Sequence, residues 1–171
     1  FQGSTVNYRK DGSSYLVEWN ISPVRDAQGQ VQAYVSVQKD ITARVRAEQR
    51  QALLARALNA TQDAVVIANE QAQILFVNQA FEDLTGYRSD EVLGRTPKFL
   101  QSGEHTPAFY AQLRDALARG DSCQTTSANR RKDGSIYHAA QTITPLKDEA
   151  GATQHYVSVI KDVTELVARA Q

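Results

Sequence analysis

Apolar and polar positions divide this chain into short extended segments around one group of helices. Residues Tyr15–Val24 and Gln30–Lys39 are rich in β-branched and aromatic residues, and Arg25-Asp26-Ala27-Gln28-Gly29 between them carries turn formers. That pattern predicts a hairpin. From Ala43 to Thr61 the chain changes to Ala, Arg, Gln, Glu and Leu, which favour helix, with Thr42 as the N-cap. Ala47, Gln51, Leu54, Leu58 and Thr61 recur at spacings of four and three, a short heptad-like seam. The same spacing also fits a helix lying on its own domain.

Val65–Ala68 and Ile74–Val77 are short apolar strands around the polar turn Asn69–Gln73, a second hairpin. Asn78 then opens a helical stretch, Gln79–Thr85, that Gly86 closes. Ser89 caps Asp90–Leu93, with Gly94 as the stop. Thr106-Pro107 opens a longer helix through Arg119, ended by Gly120, with Phe109, Leu113, Ala116 and Leu117 on its apolar face. Cys123–Arg131, Ser135–Leu146 and Thr153–Lys161 follow as three strands. Helices set between two groups of antiparallel strands predict an α+β domain rather than a doubly wound sheet.

The chain also repeats itself. Asn7-Tyr8-Arg9-Lys10-Asp11-Gly12 returns as Asn129-Arg130-Arg131-Lys132-Asp133-Gly134, at an offset of 122 residues. At that offset 21 of the 43 positions from 7 to 49 are identical, including Tyr34-Val35-Ser36-Val37 with Tyr156-Val157-Ser158-Val159. Chance gives only a few matches, so this is a duplication. Its period is too long for a solenoid and indicates tandem domains. Phe1-Gln2-Gly3-Ser4 resembles the tail of a protease-cleavable tag and is expected to lie outside the fold. The expected organisation is then 1–4 as that scar and 5–42 as the last strands of a truncated first unit. A helical linker follows at 43–61, a complete second unit at 62–164, and the start of an output helix at 165–171.

Composition narrows the function. Nineteen basic residues balance nineteen acidic ones, which argues against a nucleic-acid partner. One Cys excludes an intramolecular disulfide and points to a reducing, cytoplasmic compartment. No apolar run approaches the roughly 20 residues of a membrane span, so no membrane contact is expected. The absence of Met reads as a piece of a longer protein. There is no G-x-S-x-G, Gly-rich phosphate loop or HExxH, so the chain is not expected to be an enzyme. Cys123 stands alone and carries no metal or redox signal.

Val77-Asn78-x-Ala80-Phe81-x-x-Leu84-Thr85-Gly86-Tyr87, followed by Gly94, resembles the first half of a PAS domain. Asn129–Gly134, Tyr156-Val157-x-Val159 and Asp162-Val163-Thr164 resemble its second half, over about 63–164, and residues 7–42 resemble the end of a preceding PAS domain. The resemblance implies a five-stranded antiparallel sheet with short helices on one face, preceded by a linker helix and a hairpin remnant. It also implies a sensory or interaction module of a bacterial signalling protein, such as a histidine kinase or a cyclic-di-GMP enzyme. Asp40 and Asp162, each two residues before a Thr, fall where the family ties sheet to output helix.

Gly94-Arg95-Thr96-Pro97-Lys98-Phe99-Leu100-Gln101 is similar to the flavin segment of the LOV subgroup, Gly-x-Asn-Cys-Arg-Phe-Leu-Gln. By that resemblance Lys98 and Arg114 fall on the two phosphate-binding cations, and Gln101 and Asn129 on flavin-contacting amides. Tyr156 completes the candidate cofactor-binding set, and no metal site is expected. Pro97 stands where the photoreactive cysteine would be, and Ala139 and Ile160 where two ring-contacting amides would be, which removes adduct photochemistry. The cofactor is left open, FAD or FMN being candidates and haem, through His105, disfavoured. A homodimer through flanking helices or sheet edges is expected, with a small-molecule ligand in the pocket. The alternative is a ligand-free dimerisation module.

Overall fold

The computed structural model describes residues 1–170, so the last residue of the expected output segment, Gln171, lies outside the described residues. The chain divides into two compact units, Phe1–Arg56 and the part from Ala57 onward.

The first unit is a three-stranded antiparallel sheet in the order β1 (Gln2–Tyr8), β2 (Ser14–Arg25), β3 (Val31–Asp40). The expected hairpin is its β2–β3 part. Residues 1–4, expected outside the fold, instead begin β1, which runs along β2 with Gln2 opposite Asn20 and Tyr8 opposite Ser14. Two backbone bonds pair Phe1 with Ile21. Trp19 also takes the space over Gly3: a Cβ there would fall 2.7 Å from Trp19 Cζ2, so the strand is seated by a residue with no side chain. Val17 and Ile41 are buried, whereas all ten residues of β3 are exposed.

Where β3 ends, Asp40 accepts bonds from the amide and hydroxyl of Thr42, and Thr42 Oγ1 accepts the Leu16 amide at 2.8 Å. Arg9 pairs with Asp40 and lies 4.5 Å over the Tyr15 ring. These bonds start helix α1 (Thr42–Asn59), which ends two residues before the expected Thr61 and has no buried residue.

The second unit has five antiparallel strands: β4 (Ala64–Asn69), β5 (Ile74–Val77), β6 (Cys123–Arg130), β7 (Ile136–Lys147) and β8 (Thr153–Asp162). Their order is β5-β4-β8-β7-β6. The last strand in sequence is therefore the central one. Between β5 and β6 lie α2 (Gln79–Thr85), α3 (Ser89–Val92), a 3-10 turn (Pro97–Leu100) absent from the expected elements, and α4 (Pro107–Ala118). Helix α5 (Thr164–Ala170) follows β8. The α+β architecture and the five-stranded sheet with helices on one face are as expected.

Register explains which face the helices cover. Ala64 is opposite Ile160, Ala139 opposite Ser127, and Tyr137 opposite Asn129, which puts these residues on one face by the two-residue period of a strand. Phe81, Val92 and Leu100 from the helical side pack with Val66, Tyr137, Ala139 and Ile160 from that face into one core. The opposite face leaves a shallow groove among Thr126, Ala140, Thr142, Val159 and Lys161.

Candidate functional site

The covered face changes character toward β6. Ser127 and Asn129 are buried there, and the one side-chain hydrogen bond of Asn129 among the described residues comes from Ser127 Oγ at 3.5 Å. Opposite Asn129, the Tyr137 ring is fully buried with its hydroxyl unpartnered, and burial pushes that hydroxyl's pKa up. Asn129 opposes the rise, although its amide makes no hydrogen bond of ordinary geometry to the hydroxyl. Ser158 Oγ is a second unpartnered hydroxyl on this face, and Tyr110 on α4 holds a third, also shifted up by burial.

The segment after the 3-10 turn closes the β6 edge. Gln101 bridges backbone to backbone with Asn129, and Ser102 Oγ donates to Ala128 O at 2.7 Å. Arg130 donates to Ser102 O at 2.6 Å. The Ala128 amide donates to His105 Nε2 at 2.9 Å, while the imidazole stacks on Phe109 with ring centroids 4.3 Å apart. An accepting Nε2 requires the neutral ring with its proton on Nδ1. The same bond occupies the lone pair that a haem iron would need. Nothing in the sequence singled out His105 for this role, because a lone His before a helix carries no pattern that names a strand edge.

Three of the five candidate residues gather at this end, and a fourth, Arg114, is on helix α4, which packs on β6. Gln101 and Asn129 are joined by their bridge, and Lys98 is one 3-10 turn earlier, its carbonyl accepting the Gln101 amide. The 3-10 turn and α4, which carries Arg114, both pack on β6. Lys98 and Arg114 are exposed, and neither has an ion pair among the described residues. Tyr156 is elsewhere. It lies opposite Pro145, eight positions along β7 from the Tyr137 that faces Asn129, or roughly 26 Å at strand rise. Pro97 begins the 3-10 turn, and Ala139 and Ile160 are buried in the core.

Two polar hubs connect this unit to its flanking helices. Asn78 is buried; its Oδ1 accepts the Val65 and Phe81 amides, and its Nδ2 reaches Leu58 O, Thr61 Oγ1 and Asp63 O at 2.9–3.0 Å. It thus caps α2 and holds the end of α1 at the start of β4. The second hub is Arg131. It donates to Leu84 O at 2.8 Å, pairs with Asp162 at 2.8 Å and lies 4.7 Å over the Tyr137 ring. Asp162 in turn accepts two bonds from Thr164, whose Oγ1 takes the His138 amide. Burial works against the Asp162 carboxylate, but Thr164 and Arg131 together hold its pKa below the ordinary value of 3.8.

A family model described as PAS domain matches residues 1–43 and 62–165. A blue-light-activated histidine kinase 1 of Erythrobacter litoralis is 36% identical over 95 residues, 56% of this chain and 26% of that protein. A bacterioopsin transcriptional activator of Halobacterium salinarum is 37% identical over 98 residues, 57% of this chain and 14% of that protein. The chain thus spans about a quarter or less of these curated relatives. Among solved structures, an RNA-binding light-oxygen-voltage receptor is similar with a TM-score of 0.68 at 30% identity, over 90% of this chain and 41% of that one. A light-oxygen-voltage domain studied with a flavin analogue is similar with a TM-score of 0.61 at 36% identity, over 69% of this chain and 90% of that one.

Proposed function

The chain belongs to the PAS domain family, and on that premise we propose that it is a sensory module of a larger signal-transduction protein. It binds a flavin, FMN or FAD, at the β6 end of the covered sheet face and signals through α1 and α5. The output is of the histidine kinase or cyclic-di-GMP class, and the residues described here carry no catalytic step.

The observation that carries this reading is the polar, buried pair Ser127 and Asn129 beside Gln101, flanked by two elements that present the unpaired cations Lys98 and Arg114. Those residues fit the group. Buried Asn129, with exposed Gln101 bridged to it through the backbone, supplies amides suited to a polar ring edge, while a Lys point charge and an Arg fork suit a phosphate. Ala139 and Ile160 make the remaining wall apolar. Pro97 offers no thiol, so the flavin is held without a covalent bond and supplies redox or light-absorbing chemistry as a free group. A flavin shifts this module only through its different affinity for two arrangements of sheet and helices.

One observation favours a second reading, a ligand-free interaction module: Tyr137, Ala139 and Ile160 are all buried in a continuous core. The absorption spectrum of the purified chain, before and after reconstitution with FMN and FAD, separates the two. A flavin band that Asn129→Ala and Lys98→Ala weaken supports the first. A colourless chain that takes up neither flavin leaves the second.

A further inference from the structure

Three side-chain hydroxyls are buried without a hydrogen-bond partner among the described residues: Tyr110, Tyr137 and Ser158. A hydroxyl taken out of water and given no partner costs stability, so each calls for a reason. Their surroundings differ. Ser158 stands on β8 with apolar residues opposite it on both sides, Val66 and Ile143. Tyr110 is on α4 and only partly buried. Tyr137 is both fully buried and directly opposite a buried polar residue, Asn129.

The Tyr137 ring has no way to turn its hydroxyl out to water. Arg131 lies 4.7 Å over it, and the ring packs in the core with Phe81, Ala139 and Ile160. Asn129 does not take the hydroxyl up either. Its one side-chain hydrogen bond among the described residues comes from Ser127 Oγ at 3.5 Å, the outer limit for such a bond. The Asn129 amide therefore keeps its two N–H donors, and one lone pair of Oδ1, without a partner. Burial pushes the Tyr137 hydroxyl's pKa up, so it stays protonated at neutral pH and enters as a donor. Side chains directly opposite in a ladder have Cβ atoms about 4.5–5.5 Å apart on one face, so both sets of donors serve one small region. An acceptor able to meet both is a carbonyl oxygen, and an adjoining ring N–H would find the free lone pair of Asn129.

We propose that Tyr137 is a ligand-binding residue of this site, its hydroxyl donating beside the Asn129 amide to a carbonyl oxygen on the edge of a heteroaromatic ring. The inference rests on the flavin reading above and adds to it a contact that the resemblance did not assign. Binding gives the hydroxyl the partner it lacks in the free chain. That adds to affinity and selects a ring edge bearing an acceptor over an apolar one.

Tyr137→Phe tests this, because it deletes the hydroxyl and leaves the ring in the core. Urea denaturation of the ligand-free chain should find the variant at least as stable as wild type. Titrated with FMN, and with riboflavin, which lacks the phosphate, the variant should bind both about tenfold more weakly. Lys98→Ala should weaken FMN alone. In infrared spectra of bound FMN, a ring carbonyl band should move to higher frequency in Tyr137→Phe, a shift that a purely structural role would not produce. Unchanged affinity or an unshifted carbonyl band in the variant overturns this inference and leaves the flavin reading standing. A ligand-free variant less stable than wild type also overturns it, since the hydroxyl then has a partner inside the protein. A wild-type chain that takes up neither FMN nor riboflavin overturns the flavin reading, and this inference with it.

Discussion

The two units share a C-terminal half and differ in what stands on it. Arg9, Tyr15, Asp40 and Thr42 repeat as Arg131, Tyr137, Asp162 and Thr164, with matching geometry. The Arg-to-ring distances are 4.5 and 4.7 Å, and the Thr amide-to-Asp bonds 3.0 and 2.9 Å. This latch thus needs only the strands and the first turn of the helix that follows them, since it forms among residues 9–42 as it does among residues 131–164. The roof adds two things. It buries Tyr137 completely where Tyr15 stays half-exposed, and it gives Arg131 a third partner, Leu84 O. In the second unit the latch is thereby tied to α2. Among the described residues, that of the first unit ties strand to helix alone.

Substitutions at equivalent positions can break this contrast. The largest difference is expected from Tyr137→Ala, which should cost about 3–5 kcal/mol as a fully buried aromatic removed from a core. Tyr15→Ala should cost less than half of that by chemical denaturation; equal losses would mean that the roof contributes little. Asn78→Ala has no counterpart in the first unit. It strands the Val65 and Phe81 amides and should cost about 2–3 kcal/mol, with faster amide exchange at 58–65 as its signature. Arg131→Ala should cost about 1–2 kcal/mol and loosen α2 and α5 together in exchange experiments. Arg9→Ala should leave global stability unresolved from wild type.

Two effects are smaller. His105→Ala removes the acceptor of the Ala128 amide at the β6 edge and should speed that amide's exchange. Val6, the equivalent residue in β1, should exchange fast in wild type and variant alike. Last, Asp162 and Asp40 both have pKa values held below 3.8, Asp40 chiefly by the Thr42 hydroxyl. Each latch therefore contributes its full stability above the ordinary carboxylate pKa and loses it as pH falls through the lowered one. Amide exchange at Thr164 and Thr42 should accelerate together below about pH 4.

What was legible in the sequence divides along the same physical line. Capping residues act on their immediate neighbours, so Asn78, Gly86 and Thr106 announced their helices, and short apolar runs announced β4 and β5. Residues 2–8 did not announce β1, since Gln-Gly-Ser-Thr-Val-Asn-Tyr has no strand pattern of its own and is ordered by Trp19 and the β2 ladder. Likewise, the bonds of His105 to Ala128 and of Arg131 to Leu84 join residues 23 and 47 positions apart. Neither has a local signature. Resemblance collected Lys98, Gln101 and Asn129 at one end of the sheet and Arg114 on the helix beside β6, but Tyr156 was separated from them by a register that only the folded sheet reveals.

The strand order has a consequence for synthesis. β4 pairs with β8, so Ala64 must wait for Ile160, 96 residues later, or roughly 5–20 s at the ribosome. Throughout that interval the emerging β4–β5 hairpin lacks its native neighbour. A second strand with the same Tyr-Val-Ser-Val run, β3, has already left the exit tunnel. The wrong partner is thus offered first, and at the shorter chain separation that loop closure favours. Helix α1 is the only segment between the two strands, and it is complete before β4 begins. In the folded chain β8 holds β4 on one side and β7 on the other, a place in the sheet that β3, paired with β2, does not take.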